Sequence, residues 1–151
     1  MVRFTVITVA KNAAATIGKT VHSVARQILK GIDFLELLIV DGASTDGTLS
    51  TIQETLGNCP APSEFHCRTI SQPDSGIYEA MNWGLSLAQG DYVLFLNSDD
   101  TFYDDQVLAT VAVFALRSPE CDLWVGDIAV QSPLRSEHAV VSSAQFFLIP
   151  S

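Results

Sequence analysis

Short apolar runs alternate with segments of helical period from residue 4 onward, and this alternation narrows the fold more than any other feature. Phe4 to Val9 is β-branched and uninterrupted by charge. After the polar pair Lys11-Asn12, Ile17, Val21, Val24 and Ile28 recur at helical spacing. Phe34 to Val40 repeats the theme and ends at Asp41-Gly42, where Thr45-Asp46-Gly47 can cap a helix carrying Leu49, Ile52 and Leu56. A proline-containing loop over Asn58 to Ser63 leads to a third strand expected at Phe65 to Ser71. The third helix carries Ile77, Ala80, Met81, Gly84, Leu85 and Ala88 on one face, with Gly90 where a C-terminal cap belongs. Tyr92 to Leu96 is a fourth strand, Val107, Val111, Phe114 and Ala115 outline a fourth helix ended by Pro119, and Leu123 to Val125 reads as a fifth strand. Strands alternating with helices predict an α/β fold, a doubly wound and mostly parallel sheet with helices on both faces.

The 151 residues are enough for one domain, expected to span 1–151. An apolar content of 48% against 17% charged excludes disorder and coiled coil. No apolar run approaches the roughly 20 residues that cross a bilayer. The N-terminus enters a strand directly and lacks a signal-peptide cleavage site, so a cytoplasmic location is expected. Eight Lys and Arg against 17 Asp and Glu give a net charge of −9, which argues against a nucleic-acid-binding surface. Phosphate groups would then need a metal ion or backbone amides to be held. Cys59, Cys67 and Cys121 are odd in number without a CxxC spacing, and His22, His66 and His138 are scattered, so neither a disulfide framework nor a zinc site is indicated.

The informative residues are the acids that follow strands. Asp41 follows the second, Asp74 the third, and Asp99 and Asp100 the fourth, so all four should line the carboxyl edge of the sheet, where such folds bind ligands. Adjacent carboxylates in Asn97-Ser98-Asp99-Asp100 repel one another unless a cation or a proton intervenes, and Mg²⁺ or Mn²⁺ is the natural partner. The alternative is an acidic N-terminus for the fourth helix. Asp41 is placed to accept hydrogen bonds from a base or ribose, whereas Asp46 fits a helix cap better. Asp74 could face the crevice or belong to a turn capped by Ser75, and Lys11 and Asn12 could meet a nucleotide or stay in solvent. Met81, Trp83, Leu85 and Leu87 read as packing residues. GxxxxGK[ST] and GxGxxG are absent, which removes the main support for nucleotide kinases and nicotinamide dehydrogenases.

In order along the chain, Phe4 to Asn12, Leu38-Ile-Val-Asp-Gly-Ala-Ser-Thr-Asp-Gly-Thr48, Asp74-Ser-Gly-Ile-Tyr-Glu-Ala-Met-Asn82 and Gly90 to Asp100, with a weaker block at Trp124 to Asp127, resemble the family 2 inverting glycosyltransferases of GT-A fold, especially bacterial enzymes of cell-surface polysaccharide assembly. The resemblance implies transfer of a sugar, with inversion, from a nucleoside-diphosphate donor, UDP by family weight, to a saccharide or lipid-linked acceptor. It implies nucleotide contacts at Thr8, Ala10, Asn12, Asp41, Asp74 and Asp99, and a divalent metal on Asp100 and Asp99. Work at the inner face of a membrane, by peripheral association, would also follow.

Two positions depart from the family pattern: Trp83 stands where lysine is frequent, and Glu79 where aspartate is frequent. The family's general base lies in an acceptor-side segment beyond the metal motif that this chain does not reach, so the catalytic base is unassigned. Asp127 and Glu137 are the acids that follow the fifth strand-like run, and Asp127 matches a strand-end motif. The chain therefore reads as a donor-binding half. The alternative is a nucleotide-sugar-binding module without turnover, and self-association through an exposed apolar edge is a further expectation. A phosphoacceptor signalling domain would need an acidic pair where Lys11-Asn12 stands.

Overall fold

The computed structural model describes residues 2–118, 120–121, 123–131, 138–141 and 149–150. In chain order the elements are β1 (Arg3–Ala10), α1 (Ile17–Ala25), β2 (Phe34–Asp41), α2 (Thr48–Asn58), β3 (Phe65–Ser71), α3 (Ile77–Leu87), β4 (Tyr92–Phe95), α4 (Val107–Arg117), β5 (Ile128–Gln131), β6 (His138–Val141) and β7 (Ile149–Pro150). The main sheet runs β3-β2-β1-β4-β7. Its first four strands are parallel, and β7 adds to β4 in the antiparallel sense.

Two apolar layers clamp this sheet. Phe4, Val6, Leu35, Leu37 and Ile39 pack with Ile17, Val21 and Val24 of α1, Ile52 of α2, and Leu108 and Ala112 of α4. The opposite face carries Ile7, Leu38, Val40 and Val93 under Ala80 of α3, joined by Met81, Trp83 and Leu87 as packing residues. Because β1 and β2 are covered on both sides, they read as continuous hydrophobic runs rather than alternating ones. Helices on both faces of a mostly parallel sheet are the α/β architecture that the sequence predicts.

At the amino end of the sheet lies a buried polar knot. Glu36, 2% exposed, accepts hydrogen bonds from Thr5 Oγ1 at 2.8 Å and Gln89 N at 3.0 Å, and pairs with Arg68 at 3.1 Å. Arg68 also donates to the Leu87 carbonyl at 2.6 Å. One side chain thus ties β1, β2, β3 and the turn after α3 together, and its burial is tolerable because its oxygens are partnered.

Several expectations change. Gly90 is not a helix cap: α3 ends at Leu87, and Gly90 instead lets two backbones approach, since a Cβ there would sit 2.5 Å from Phe4 C and Thr5 N. Residues 123–125 are not a strand; β5 begins at Ile128 and pairs with β6 in a separate antiparallel ribbon, so the segment's apolar composition misleads. Leu123 and Val125 are in fact exposed. The first helix stops at Ala25, and Ile28 is 47% exposed, because the chain turns there to meet the loop after β4. On α3 only Ala80 and Gly84 are buried, with Ile77 and Leu85 exposed. Pro119 lies outside the described residues.

Candidate functional site

Strand order reverses direction at β1, which is flanked by β2 on one side and β4 on the other. Loops diverge at such a point and leave a crevice beyond the carboxyl ends of the strands. The register sets Ala10, Asp41 and Ser71 side by side along this edge.

Asp41 organises the crevice from beneath. It is fully buried, and its carboxylate accepts hydrogen bonds from Ser44 N at 3.0 Å, Ser44 Oγ, and Ser71 Oγ at 2.6 Å. Ser44 Oγ in turn accepts from Asn12 N at 2.7 Å, while Asn12 Oδ1 accepts from Thr45 N at 3.0 Å. Two more bonds join the same loops, Ala13 N to Thr48 Oγ1 at 2.8 Å and Ala14 N to Asp46 Oδ2 at 3.0 Å. The loops after β1 and β2 are therefore stitched by side chains. Asn12 and Ala43 adopt left-handed backbone, φ 51° and 56°, a conformation that asparagine tolerates and alanine holds at a cost of about 1 kcal/mol.

The N-cap of α2 is Gly47 and not Asp46, which sits one residue earlier and accepts from Thr48 N and Thr48 Oγ1 at the start of the helix. The Thr48 hydroxyl first, and then the Ala14 amide, hold its carboxyl below the usual 3.8. Ser75 behaves differently: its N–H and hydroxyl both donate to Glu79, whose carboxyl is held low by those bonds.

Above Asp41 the backbone is bare at Gly42. Asp74 Oδ2 lies 2.5 Å from the point where a Cβ on Gly42 would stand, and Lys11 Cδ lies 3.2 Å from it. Asp74 Oδ1 is used by Gly76 N at 3.1 Å. Asp74 Oδ2 and the Lys11 ammonium have no partner among the described residues. A free carboxylate oxygen and a lysine stem thus converge over one strand end.

On the other side of β1, Asn97 to Asp100 forms a tight turn closed by Asp100 N to the Asn97 carbonyl at 3.1 Å. Asp99 and Asp100 are exposed, and Asn97 Nδ2 donates to Asp100 Oδ2 at 3.2 Å. No group of three or more His, Cys, Asp or Glu gathers as a closed cage among the described residues. Two exposed hard-oxygen ligands suit Mg²⁺ or Mn²⁺, which commonly take one or two carboxylates and complete their shell with water and phosphate oxygens.

Thr8 and Ala10 lie in the floor. Thr8 is fully buried on the α1 side, its hydroxyl unpartnered among the described residues, and Ala10 is 6% exposed. Both are buried near the carboxyl end of β1. Asp127 is exposed at the entry to β5, and Glu137 lies outside the described residues. An open cleft of about 470 Å³ runs between α1 and Thr101 to Asp105, lined by Lys19, His22 and Arg26, but none of the crevice acids lines it. Asp74, Asp99 and Asp100 lie instead in the loops that follow β3 and β4, at the carboxyl edge of the sheet. The reading of the sequence missed the closeness of Gly42 to Asp74; the glycine directly after a strand-end acid was its available signal.

The profile of glycosyl transferase family 2 matches residues 5–132. The chain belongs to glycosyl transferase family 2. Among curated family 2 relatives, the PGL/p-HBAD biosynthesis glycosyltransferase of Mycobacterium bovis is 39% identical over 130 residues, covering 85% of this chain and 48% of that protein. The chondroitin synthase of Pasteurella multocida is 38% identical over 98 residues, 65% of this chain and 9% of that one. Among solved structures, S. aureus TarS 1-349 in complex with UDP-GlcNAc superposes with a TM-score of 0.70 at 24% identity, covering 89% of this chain and 37% of that one. The mannosyltransferase PcManGT of Pyrobaculum calidifontis, in complex with GDP-Man and Mn²⁺, gives 0.67 at 26% identity, over 87% and 36%. The fold is GT-A, and this family 2 chain spans about half the length of the curated relatives it matches.

Proposed function

We propose that residues 1–151 form the donor-binding domain of a glycosyltransferase that moves a sugar, with inversion, from a UDP-linked donor to the hydroxyl of a saccharide or lipid-linked acceptor in cell-surface polysaccharide synthesis. The observation that carries this reading is the placement of Asp74 and Lys11 over Gly42, and of the Asp99-Asp100 turn after β4, at the carboxyl edge of the parallel sheet in a family 2 domain.

Each residue has a physical task. Asp74 Oδ2 accepts from a ring N–H of the base, and Lys11 donates to an adjacent carbonyl, a pairing that uracil offers. Asp41 and Asn12 hold the two loops that carry those groups, and Thr8 and Ala10 form the floor beneath them. Asp99 and Asp100 hold a divalent cation, with Asp100 as its direct ligand and Asp99 toward the diphosphate. That cation, when bound, neutralises charge building on the leaving diphosphate. The presence of Mn²⁺ beside GDP-Man in the PcManGT complex supports the reading of a divalent cation at a nucleotide-sugar site.

No helix among the described residues is long and apolar enough to cross a membrane. We place the domain in the cytoplasm, in peripheral contact with the inner membrane face where lipid-linked acceptors reside. The second reading is a nucleotide-sugar-binding module without turnover.

Calorimetric titration with UDP, with and without Mn²⁺, tests the proposal. Binding that Mn²⁺ strengthens and that falls back to its metal-free level in Asp100→Ala is the expected result. Absence of UDP binding under both conditions overturns it. Release of UDP from a UDP-sugar in the presence of acceptor separates the enzyme from the passive module.

A further inference from the structure

The turn that carries Asp99 and Asp100 continues into an irregular segment before α4 begins at Val107. Exposed carboxylates on such a segment are only as well aimed as the backbone beneath them. Here the backbone is held by a polar stripe on α1 and the turn after it. Thr20 Oγ1 donates to the Asp100 carbonyl at 2.8 Å, and Ser23 Oγ accepts from Phe102 N at 3.3 Å. Gln27 uses both ends of its amide: Nε2 donates to the Asp104 carbonyl at 2.7 Å, and Oε1 accepts from Leu108 N at 3.0 Å. Ile28 N adds a bond to the Asp105 carbonyl at 2.7 Å.

Spacings of three and four residues put Thr20, Ser23 and Gln27 on one side of the helical path. Thr20 is fully buried and Gln27 is 2% exposed, so the Thr20 hydroxyl and Gln27 Oε1 are satisfied only while the loop stays in place, whereas Gln27 Nε2 also donates to the Ser23 carbonyl at 3.2 Å. The N-cap residue of α4, Gln106, makes no side-chain cap bond of its own, and Gln27 supplies that cap from outside the helix.

We propose that Thr20, Ser23 and Gln27 are positioning residues for the metal-binding turn, fixing the Asp100 main chain so that its carboxylate meets a divalent cation and a diphosphate together. None of the three touches the ligand. The inference rests on the reading of Asp99 and Asp100 as metal ligands.

The experiment measures Mn²⁺ affinity by electron paramagnetic resonance in the presence of UDP, UDP affinity without metal by calorimetry, and the melting temperature of each variant. Thr20→Val removes the hydroxyl at nearly constant shape. The expected result is Mn²⁺ binding weakened about tenfold, metal-free UDP binding changed less than twofold, and recovery in Thr20→Ser. Should Thr20→Val fold poorly, Ser23→Ala gives the same comparison at a half-buried position. Equal loss of both affinities, or a lowered melting temperature with Mn²⁺ affinity intact, reduces the stripe to a structural role and overturns the inference. A wild-type protein that binds UDP without any Mn²⁺ dependence overturns the metal reading itself, and the two failures are distinguishable.

Discussion

The carboxylate of Asp74 occupies the space that a side chain at residue 42 would need: a Cβ on Gly42 would stand 2.5 Å from Asp74 Oδ2. Gly42→Ala should therefore push Asp74 aside without unfolding the sheet. Nucleotide affinity is expected to fall about tenfold, the worth of one charge-assisted hydrogen bond. Asp74→Asn should give a similar loss in calorimetry, whereas an unchanged affinity in both variants would remove Asp74 from the base pocket.

Glu36 and Arg68 govern stability at the far end. Arg68→Met leaves a carboxylate of 3% side-chain exposure facing no cation, and the expected cost is about 3 kcal/mol. Thermal unfolding should show a fall of roughly 10 °C in the midpoint. Adding Glu36→Gln should restore part of it, and a double variant no better than the single one would deny the pairing.

Asp46 links pH to the stitched loops. Its folded-state pKa lies below the ordinary 3.8, so the unfolded chain takes up its proton first as pH falls. Its contribution is complete above 3.8 and disappears as pH drops through the lower folded value. Protection of the Ala14 amide from hydrogen exchange should decline over that acid range and be unaffected between about pH 5 and 7. Asp46→Asn should flatten the acid dependence; persistence of the same profile would place the titrating group elsewhere.

Cys67 is half-buried on β3. Burial, the largest influence, pushes its thiol from 9.0 up to about 11. Iodoacetamide at about pH 8 should accordingly modify native Cys67 far more slowly than the same thiol in urea. The shift also lowers stability as pH rises above 9.0, since the unfolded state then loses a proton that the folded state keeps until about 11. Rapid native alkylation of Cys67 would contradict its burial.

Much of this is legible in the residues. The four parallel strands and the placement of acids after strands follow from the apolar pattern, because a strand buried on both faces leaves a continuous apolar signature. What escapes depends on contacts between distant segments. Gly90 resembles a helix cap because its closeness to Phe4 and Thr5 is a tertiary fact. Leu123 and Val125 resemble a strand because apolar content carries no information about which neighbour is free to pair. Asp41 has the position of a ligand contact, yet Ser44 and Ser71 claim its oxygens from below. The Thr20, Ser23 and Gln27 stripe is hidden because small polar residues beside apolar ones read as ordinary helix surface.

Glu36 and Asp41 belong to the same strand, five positions apart, which is about 17 Å of extended chain. One is knotted into neighbouring strands and the other holds up the loops that would meet a donor. A substitution at the carboxyl rim therefore leaves the Glu36 contacts to Thr5, Gln89 and Arg68 in place, and the opposite rim still ties the strands together.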